Sequence, residues 1–429
     1  MSAVIGSGVR FGEPHSDGAF GTGVSQRRLL GVLLLAMTLR IVWACAIPVV
    51  PVSDSNAYDT FARTLAESGV FGWNKNEPFA FWPPGTSMIY SVVYRVFGVQ
   101  YLPIVVLNIL LSIGIIVSTM RWARRFGGPR CSLFAGLVLA VWPTLVLFTT
   151  VLASELPFML LVTAAFDLWT LERGRPWRRA LVAGALLGAA AMVRPVALAL
   201  PALIAFSCAV QGRIGMSRLL EQGRMWIVAM LALACLVAPW AWRNYVLYNH
   251  VALISTNGGT TLWMGNAPGT TGEYMDPPDW ALKLNDYERD QELGRIAREQ
   301  IRADPFGFLR LSVHKLIWLY NHESIGVVWN EPGIEQAFGV GAVRPLKGLT
   351  HASWALIVLA AAWGAVALFR SRGVRRALFD PLIISVIFYS AVHAAIVSQD
   401  RYHLEFAPQM AILAGLGLAS VRVRRLSSL

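Results

Sequence analysis

The chain has 429 residues, 55% of them hydrophobic and only 14% charged, with a mean hydropathy of +0.53. A soluble domain carries roughly 25% charged residues, so there is too little charge here to cover a water-exposed surface of this size. The net charge of +12 is dispersed in short clusters between apolar runs. That pattern excludes a nucleic-acid surface and marks the cytoplasmic ends of membrane spans.

The sequence therefore predicts an all-α polytopic membrane protein with about ten transmembrane helices, interfacial helices and one long extracytoplasmic loop region. The first 26 residues are rich in Gly and Ser and lack a cleavable signal pattern. Residues 1–28 read as a disordered cytoplasmic tail ending at Arg27 and Arg28. Span one, Leu29–Val50, exits into an outer loop over 51–100. Spans two (Leu102–Met120) and three (Leu133–Thr149) are joined inside by Arg121, Arg124, Arg125 and Arg130. Span four is Leu156–Leu171, and spans five and six are Ala180–Val193 and Val196–Val210, turning outside at Arg194-Pro195. Span seven, Met225–Trp242, follows the basic cluster Arg213–Arg224 and completes the first membrane region, 29–242.

Residues 243–350 then read as a single extracytoplasmic region, and 351–429 as spans eight to ten with a short cytoplasmic tail. Those spans are Ala352–Phe369, Leu382–Val397 and Leu404–Ser420, with Arg370–Arg376 and Arg422–Arg425 inside. Gly85–Phe97 and Phe306–Tyr320 read as helices lying at the interface. Asp286–Arg302 reads as an amphipathic helix that stops before Pro305. Cys45, Cys131, Cys208 and Cys235 all fall in apolar stretches, so no disulfide framework is expected.

Candidate chemistry collects at the outer ends. Asp54 follows span one, and its plain reading is a helix cap. Ser53, Ser55 and Asn56 are equally able to cap, so a carboxylate is not required there, and a carboxylate at a membrane–water boundary suits a base. Glu155 opens span four after Ser154, where the helix dipole alone explains an acid; topology places it on the same face as Asp54. Arg194, Arg243 and Arg401 are outer-end arginines that the charge rule disfavours, and they stand beside Asn244, Tyr402 and His403. Snorkelling accounts for many such arginines. Their planar donor fork also suits a lipid phosphate. No metal-ligand spacing is present.

These pieces, in order, resemble the GT-C membrane glycosyltransferases. The likeness rests on Asp54 with Tyr58, Ala62, Leu65 and Gly69, then Trp82-Pro83-Pro84-Gly85, Ser154-Glu155 and Met192-Val193-Arg194-Pro195. It continues through Pro239-Trp240-Ala241-Trp242-Arg243-Asn244-Tyr245, Asn257-Gly258-Gly259 and Arg401-Tyr402. The branch it resembles holds protein O-mannosyltransferases and the lipid A 4-amino-arabinose transferase. The resemblance implies an inverting transfer from a polyprenyl-phosphate-sugar donor to a glycan, lipid or protein acceptor. It implies Asp54 as base, Glu155 as a second acid, and Arg243, Arg401 and Arg194 as ligands of the donor phosphate. Asn244, Tyr402, His403 and Trp82 would support them. Many relatives carry adjacent acids in the first loop, whereas Asp54 is followed by Ser55, which weakens the case for a divalent metal. Trp82 stands where some relatives have Lys, so that phosphate contact is either missing or supplied by Lys75 or Arg95. The implied location is a bacterial cytoplasmic membrane with the active site extracytoplasmic. Two other classes share these features: a flippase for lipid-linked glycans, and a glycan polymerase or ligase.

Overall fold

The computed structural model describes residues 26–171, 173–211 and 215–420. The expected tail (residues 1–25), the first arginine of the 213–224 cluster and the 422–425 cluster lie outside them. Among the described residues the chain is almost wholly helical and multi-pass. Four helices are long and apolar enough to cross a membrane, by length and composition. The expected ten are not reached on that measure: α4 below counts once for two arms, α6, α8, α18 and α19 are 15, 11, 15 and 14 residues long, and α7, at 18 residues, is not among the four.

Helix α1 is Gln26–Ala46, α2 is Asp54–Ser68, and a small antiparallel hairpin pairs β1 (Gly72–Asn74) with β2 (Glu77–Pro78). Helix α3, Gly85–Phe97, has the bounds the sequence suggested. Helix α4, Tyr101–Val141, is a hairpin of two arms broken at Gly127-Gly128-Pro129, where Gly128 takes φ 68, a conformation few side chains tolerate. The arms run back along one another, since the Ser132 hydroxyl donates to the Met120 carbonyl at 2.8 Å. Expected spans two and three are these arms, with the arginine cluster at the tip.

The second arm ends at Pro143, which opens the short α5 (Pro143–Leu147). Proline has no N–H, so the Leu139 carbonyl loses its helical donor. Arg40 of α1, fully buried, supplies donors instead: NH2 to Leu139 O at 3.1 Å and NH1 to Ala140 O at 3.0 Å, with Nε on Ser112 Oγ at 2.6 Å. One side chain thereby ties α1 to both arms of α4.

The core continues through α6 (Glu155–Trp169), α7 (Pro176–Val193), α8 (Leu200–Val210) and α9 (Met216–Tyr248). Helix α9 runs past the expected end of span seven at Trp242 and includes Arg243. Outside the long helices come α10 (Gly258–Met264), α11 (Asp279–Leu282), α12 (Asp286–Ala303), α13 (Pro305–Asn321), α14 (Ile325–Val328) and α15 (Glu331–Phe338). The start of α12 is capped by Asn285, which accepts from Glu288 N at 2.9 Å. The chain ends with α16 (Val343–Arg372), α17 (Val374–Leu378), α18 (Pro381–Ala395) and α19 (Ala407–Ser420). Helices α16 and α19 touch so closely that a Cβ at Gly364 would sit 1.8 Å from the Leu413 carbonyl oxygen.

The two ends of the bundle differ. At one end, Arg125 meets Asp167 at 2.5 Å and Arg372 meets Asp380 at 2.5 Å, beside Gln211 and Arg218. This is where the basic clusters gather. The residues singled out as outer collect at the other end.

Candidate active site

Asp54 sits at the start of α2, behind a sharp entry. Ser53 holds φ 50, ψ −130, a strained region for a residue with a Cβ, and makes no side-chain capping bond. The Asp54 carboxylate is not spent on the helix end either. Its Oδ2 meets Arg401 NH1 at 2.7 Å, and its Oδ1 accepts from Trp82 Nε1 at 3.4 Å. Asp54 is 23% exposed and Arg401 12% exposed at their side chains, so the pair faces an opening while its cation is nearly enclosed.

Arg401 lies in the turn between α18 and α19. Its Nε donates to Gln399 Oε1 at 2.7 Å, and its guanidinium carbon stands 4.7 Å from the Trp329 ring centre and 5.2 Å from that of Tyr402. Burial is the largest influence and opposes its charge, but Asp54, Tyr402, Glu155 and Tyr58 together outweigh it and raise the guanidinium above its ordinary range. Burial and the Asp54 carboxylate push the Tyr58 phenol up as well.

A second charged group stands behind the first. Arg194, in the turn after α7, donates from NH2 to Glu155 Oε1 at 2.5 Å and from NH1 to Glu405 Oε1 at 2.5 Å. Its Nε donates to Ser154 Oγ at 2.9 Å, so Ser154 serves the arginine and makes no capping bond. The Arg194 guanidinium shares the Tyr402 ring with Arg401, at 5.9 Å. The His393 ring stacks on Tyr402 with centres 4.3 Å apart, and its Nε2 is 3.4 Å from Glu405 Oε1.

The structure thus brings together Asp54, Trp82, Glu155, Arg194, Arg401 and Tyr402. It does not bring in three other candidates. Arg243 donates to the carbonyls of Phe79 at 2.9 Å and Phe71 at 3.2 Å, clamping both strands of the first loop. Asn244 donates to Ala252 O and Ile254 O. His403 is fully buried, stacked on Trp354 at 3.9 Å with Nε2 2.9 Å from Glu323 Oε1. These three set the framework. Glu405, Gln399, Trp329 and His393 are the members that sequence reasoning missed. Among the described residues, no group of three or more His, Cys, Asp or Glu stands close enough to hold a metal ion.

The stretch 268–278 is held beside the turn that carries Arg401. The Gly272 carbonyl accepts from Ser398 N at 2.9 Å, and Gly272 lies against the side chain of Lys315. Lys315 is buried and donates to Gly265 O, Asn266 Oδ1 and Ala395 O at 3.1–3.3 Å, fastening this stretch to the end of α18.

Comparison with known proteins places these features. Residues 82–242 match the family model described as dolichyl-phosphate-mannose-protein mannosyltransferase. No match is found among curated proteins. The fold is that of the archaeal oligosaccharyltransferase AglB from Archaeoglobus fulgidus, solved in complex with an inhibitory peptide and a dolichol-phosphate. Against it the TM-score is 0.54 at 13% identity, over 92% of this chain and 50% of that one. Its apo form gives 0.54 at 14%, over 92% and 50%. The chain therefore spans about half the length of these solved proteins. ArnT from Cupriavidus metallidurans bound to undecaprenyl phosphate matches at a TM-score of 0.46 and 16% identity, over 92% of this chain and 78% of that one. The resemblance read from the sequence is found in both the family model and the fold.

Proposed function

We infer that this chain is a membrane glycosyltransferase of the GT-C type. It moves a sugar from a polyprenyl-phosphate donor to a hydroxyl on a glycan, lipid or protein acceptor, at the extracytoplasmic face of a bacterial cytoplasmic membrane. The observation that carries the reading is the Asp54–Arg401 pair, an acid and a guanidinium side by side at a partly open mouth.

Asp54 accepts the proton of the acceptor hydroxyl as its oxygen bonds to the anomeric carbon. The bond from that carbon to the phosphate oxygen breaks on the opposite face, so configuration inverts. The departing phosphate is a weak base and needs no proton. Arg401 turns from the carboxylate to the phosphate and stabilises the charge that develops there, which is often the largest part of such catalysis. Arg194, held by Glu155 and Glu405, fixes Tyr402 and the turn that carries Arg401. Arg243 keeps the first loop in register. A lipid phosphate as ligand is supported by the dolichol-phosphate seen in the archaeal protein of the same fold.

A flippase would place working acids inside the spans. Asp167, an acid within the expected span four, is tied to Arg125 and Arg121 at the far end of the bundle. The sidedness follows the charge rule: basic clusters gather at one end and the site lies at the other. In this reading the shorter apolar helices complete a count of about ten spans.

The test is transfer in nanodiscs from polyprenyl-phosphate sugars of known anomeric configuration, with the product read by NMR. Inverted product supports the reading. Retained configuration, or transport of the intact donor without transfer, overturns it.

A further inference from the structure

We infer that the acceptor side of the site is a pyranose-binding platform built on Trp82 and Trp73, so that the acceptor is a glycan; this rests on the transferase reading above. The argument begins with the two oxygens of Asp54. Oδ2 faces Arg401, the cation suited to the donor phosphate, and Oδ1 faces the indole N–H of Trp82. An inverting transfer requires the attacking hydroxyl and the leaving phosphate on opposite faces of the anomeric carbon. With the phosphate on the Arg401 side, the acceptor approaches along Trp82.

That approach is an aromatic wall. Trp82 packs against Phe81 with ring centres 4.8 Å apart at 73°, and against Trp73 at 5.7 Å and 88°. Behind them Phe61 and Phe71 are buried and form the core of the loop. Trp73 is different: it is 40% exposed, on β1 of the hairpin, so part of its ring contributes nothing to that core. Trp73 meets Trp82 edge to face, so a sugar would lie on the exposed part of the Trp73 ring with the Trp82 ring beside it. A pyranose has a C–H face that lies on an indole and a rim of hydroxyls that needs polar partners. The hairpin supplies that rim. Asn74 Nδ2 donates to Glu77 Oε2 at 2.7 Å, and Asn74, Lys75, Asn76 and Glu77 are all exposed.

The same polar tip argues against an anchor in the lipid. An interfacial tryptophan is common. Inserting Trp73 would, however, carry Glu77 and two asparagines toward the hydrocarbon, which is costly. A polar, hydroxyl-bearing occupant satisfies both the ring and its neighbours.

The experiment uses the full chain in nanodiscs and two probes, methyl α-D-mannopyranoside and methyl β-D-glucopyranoside. Ligand-observed saturation-transfer NMR reads their binding without any turnover. Binding of at least one probe to the parent is expected, weakened about tenfold in Trp73→Ala, in line with the worth of one aromatic contact. Trp73→Tyr should recover most of it, with melting temperatures confirming that both variants fold. Asp54→Asn should keep the binding while losing transfer, which separates the platform from the base: a variant that still transfers sinks the base alone. Absence of signal for both probes in the parent overturns the platform. So does equal binding in Trp73→Ala, or a Trp73→Ala effect confined to incorporation into the lipid disc.

Discussion

Arg401 and Asp54 form an ion pair, NH1 to Oδ2 at 2.7 Å, joining the entry of α2 to the turn before α19. They are 347 positions apart in the chain, and the pair closes the site between its first and last elements. Arg401→Ala should lower transfer by about 10²–10³-fold, the usual loss when one stabilising donor is removed. Arg401→Lys should recover only part, because an ammonium lacks the planar fork. Steady-state rates against donor concentration check this; a parental kcat/KM in Arg401→Ala removes the residue from the reaction.

Asp54→Asn separates catalysis from helix capping. Asn and Asp cap about equally well, and Ser53 already occupies the cap position. The helix should therefore still form, with some loss of melting temperature from leaving Arg401 without its carboxylate, while transfer falls by ~10²–10⁴-fold. Asp54→Glu should also be poor, since the extra methylene displaces the carboxylate beyond the ~0.5 Å such sites tolerate. Melting temperature and transfer measured on the same preparation decide it.

Arg194→Ala should unfold the site end. It leaves Glu155 and Glu405, both buried, without their shared cation. Breaking a buried pair by removing one partner costs ~3–5 kcal/mol. Arg194→Lys should lie between, because one ammonium cannot reach Glu155, Glu405 and Ser154 in the same plane. Thermal unfolding in detergent gives the order: parent, Lys, Ala. Equal melting of parent and Ala would show that the cluster is not structural.

Sidedness is open to labelling. With Cys45, Cys131, Cys208 and Cys235 replaced, a single cysteine at Asn285, the cap of α12, should react with an impermeant reagent applied to intact spheroplasts. Reaction only after lysis would invert the topology.

The parts of this site that were legible in the sequence are those that topology brings together. Arginine clusters divide the ends of the helices into two sets, and Asp54, Trp82, Glu155, Arg194, Arg401 and Tyr402 all fall in one set. Their meeting then needs only a compact bundle. Helix α12 is legible because Leu293, Ile296, Ala297 and Ile301 recur at helical spacing and Pro305 stops the helix. Other features left no mark. Arg243 was read as a phosphate ligand because an outer-end arginine attracts that role. Its actual partners are main-chain carbonyls of Phe71 and Phe79, which no spacing reveals. Glu405 sits four residues after Arg401 in a tight turn, and only the fold aims it at Arg194 rather than Arg401. His403, expected to support Arg401 from two residues away, turns inward to Glu323 and Trp354.

The buried Arg40 also bears on how the protein is made. Helix α1 leaves the ribosome before α4, and an arginine well inside a lone span costs about 2.5–3.5 kcal/mol on insertion scales. Every carbonyl that repays this cost from outside α1 belongs to the second arm of α4, which is synthesised about a hundred residues later. During that interval the first helix is poorly settled in lipid, and the arrival of α4 secures it. The order of synthesis and the order of consolidation therefore differ: the hairpin turning at Gly128 is the piece that makes the N-terminal span permanent.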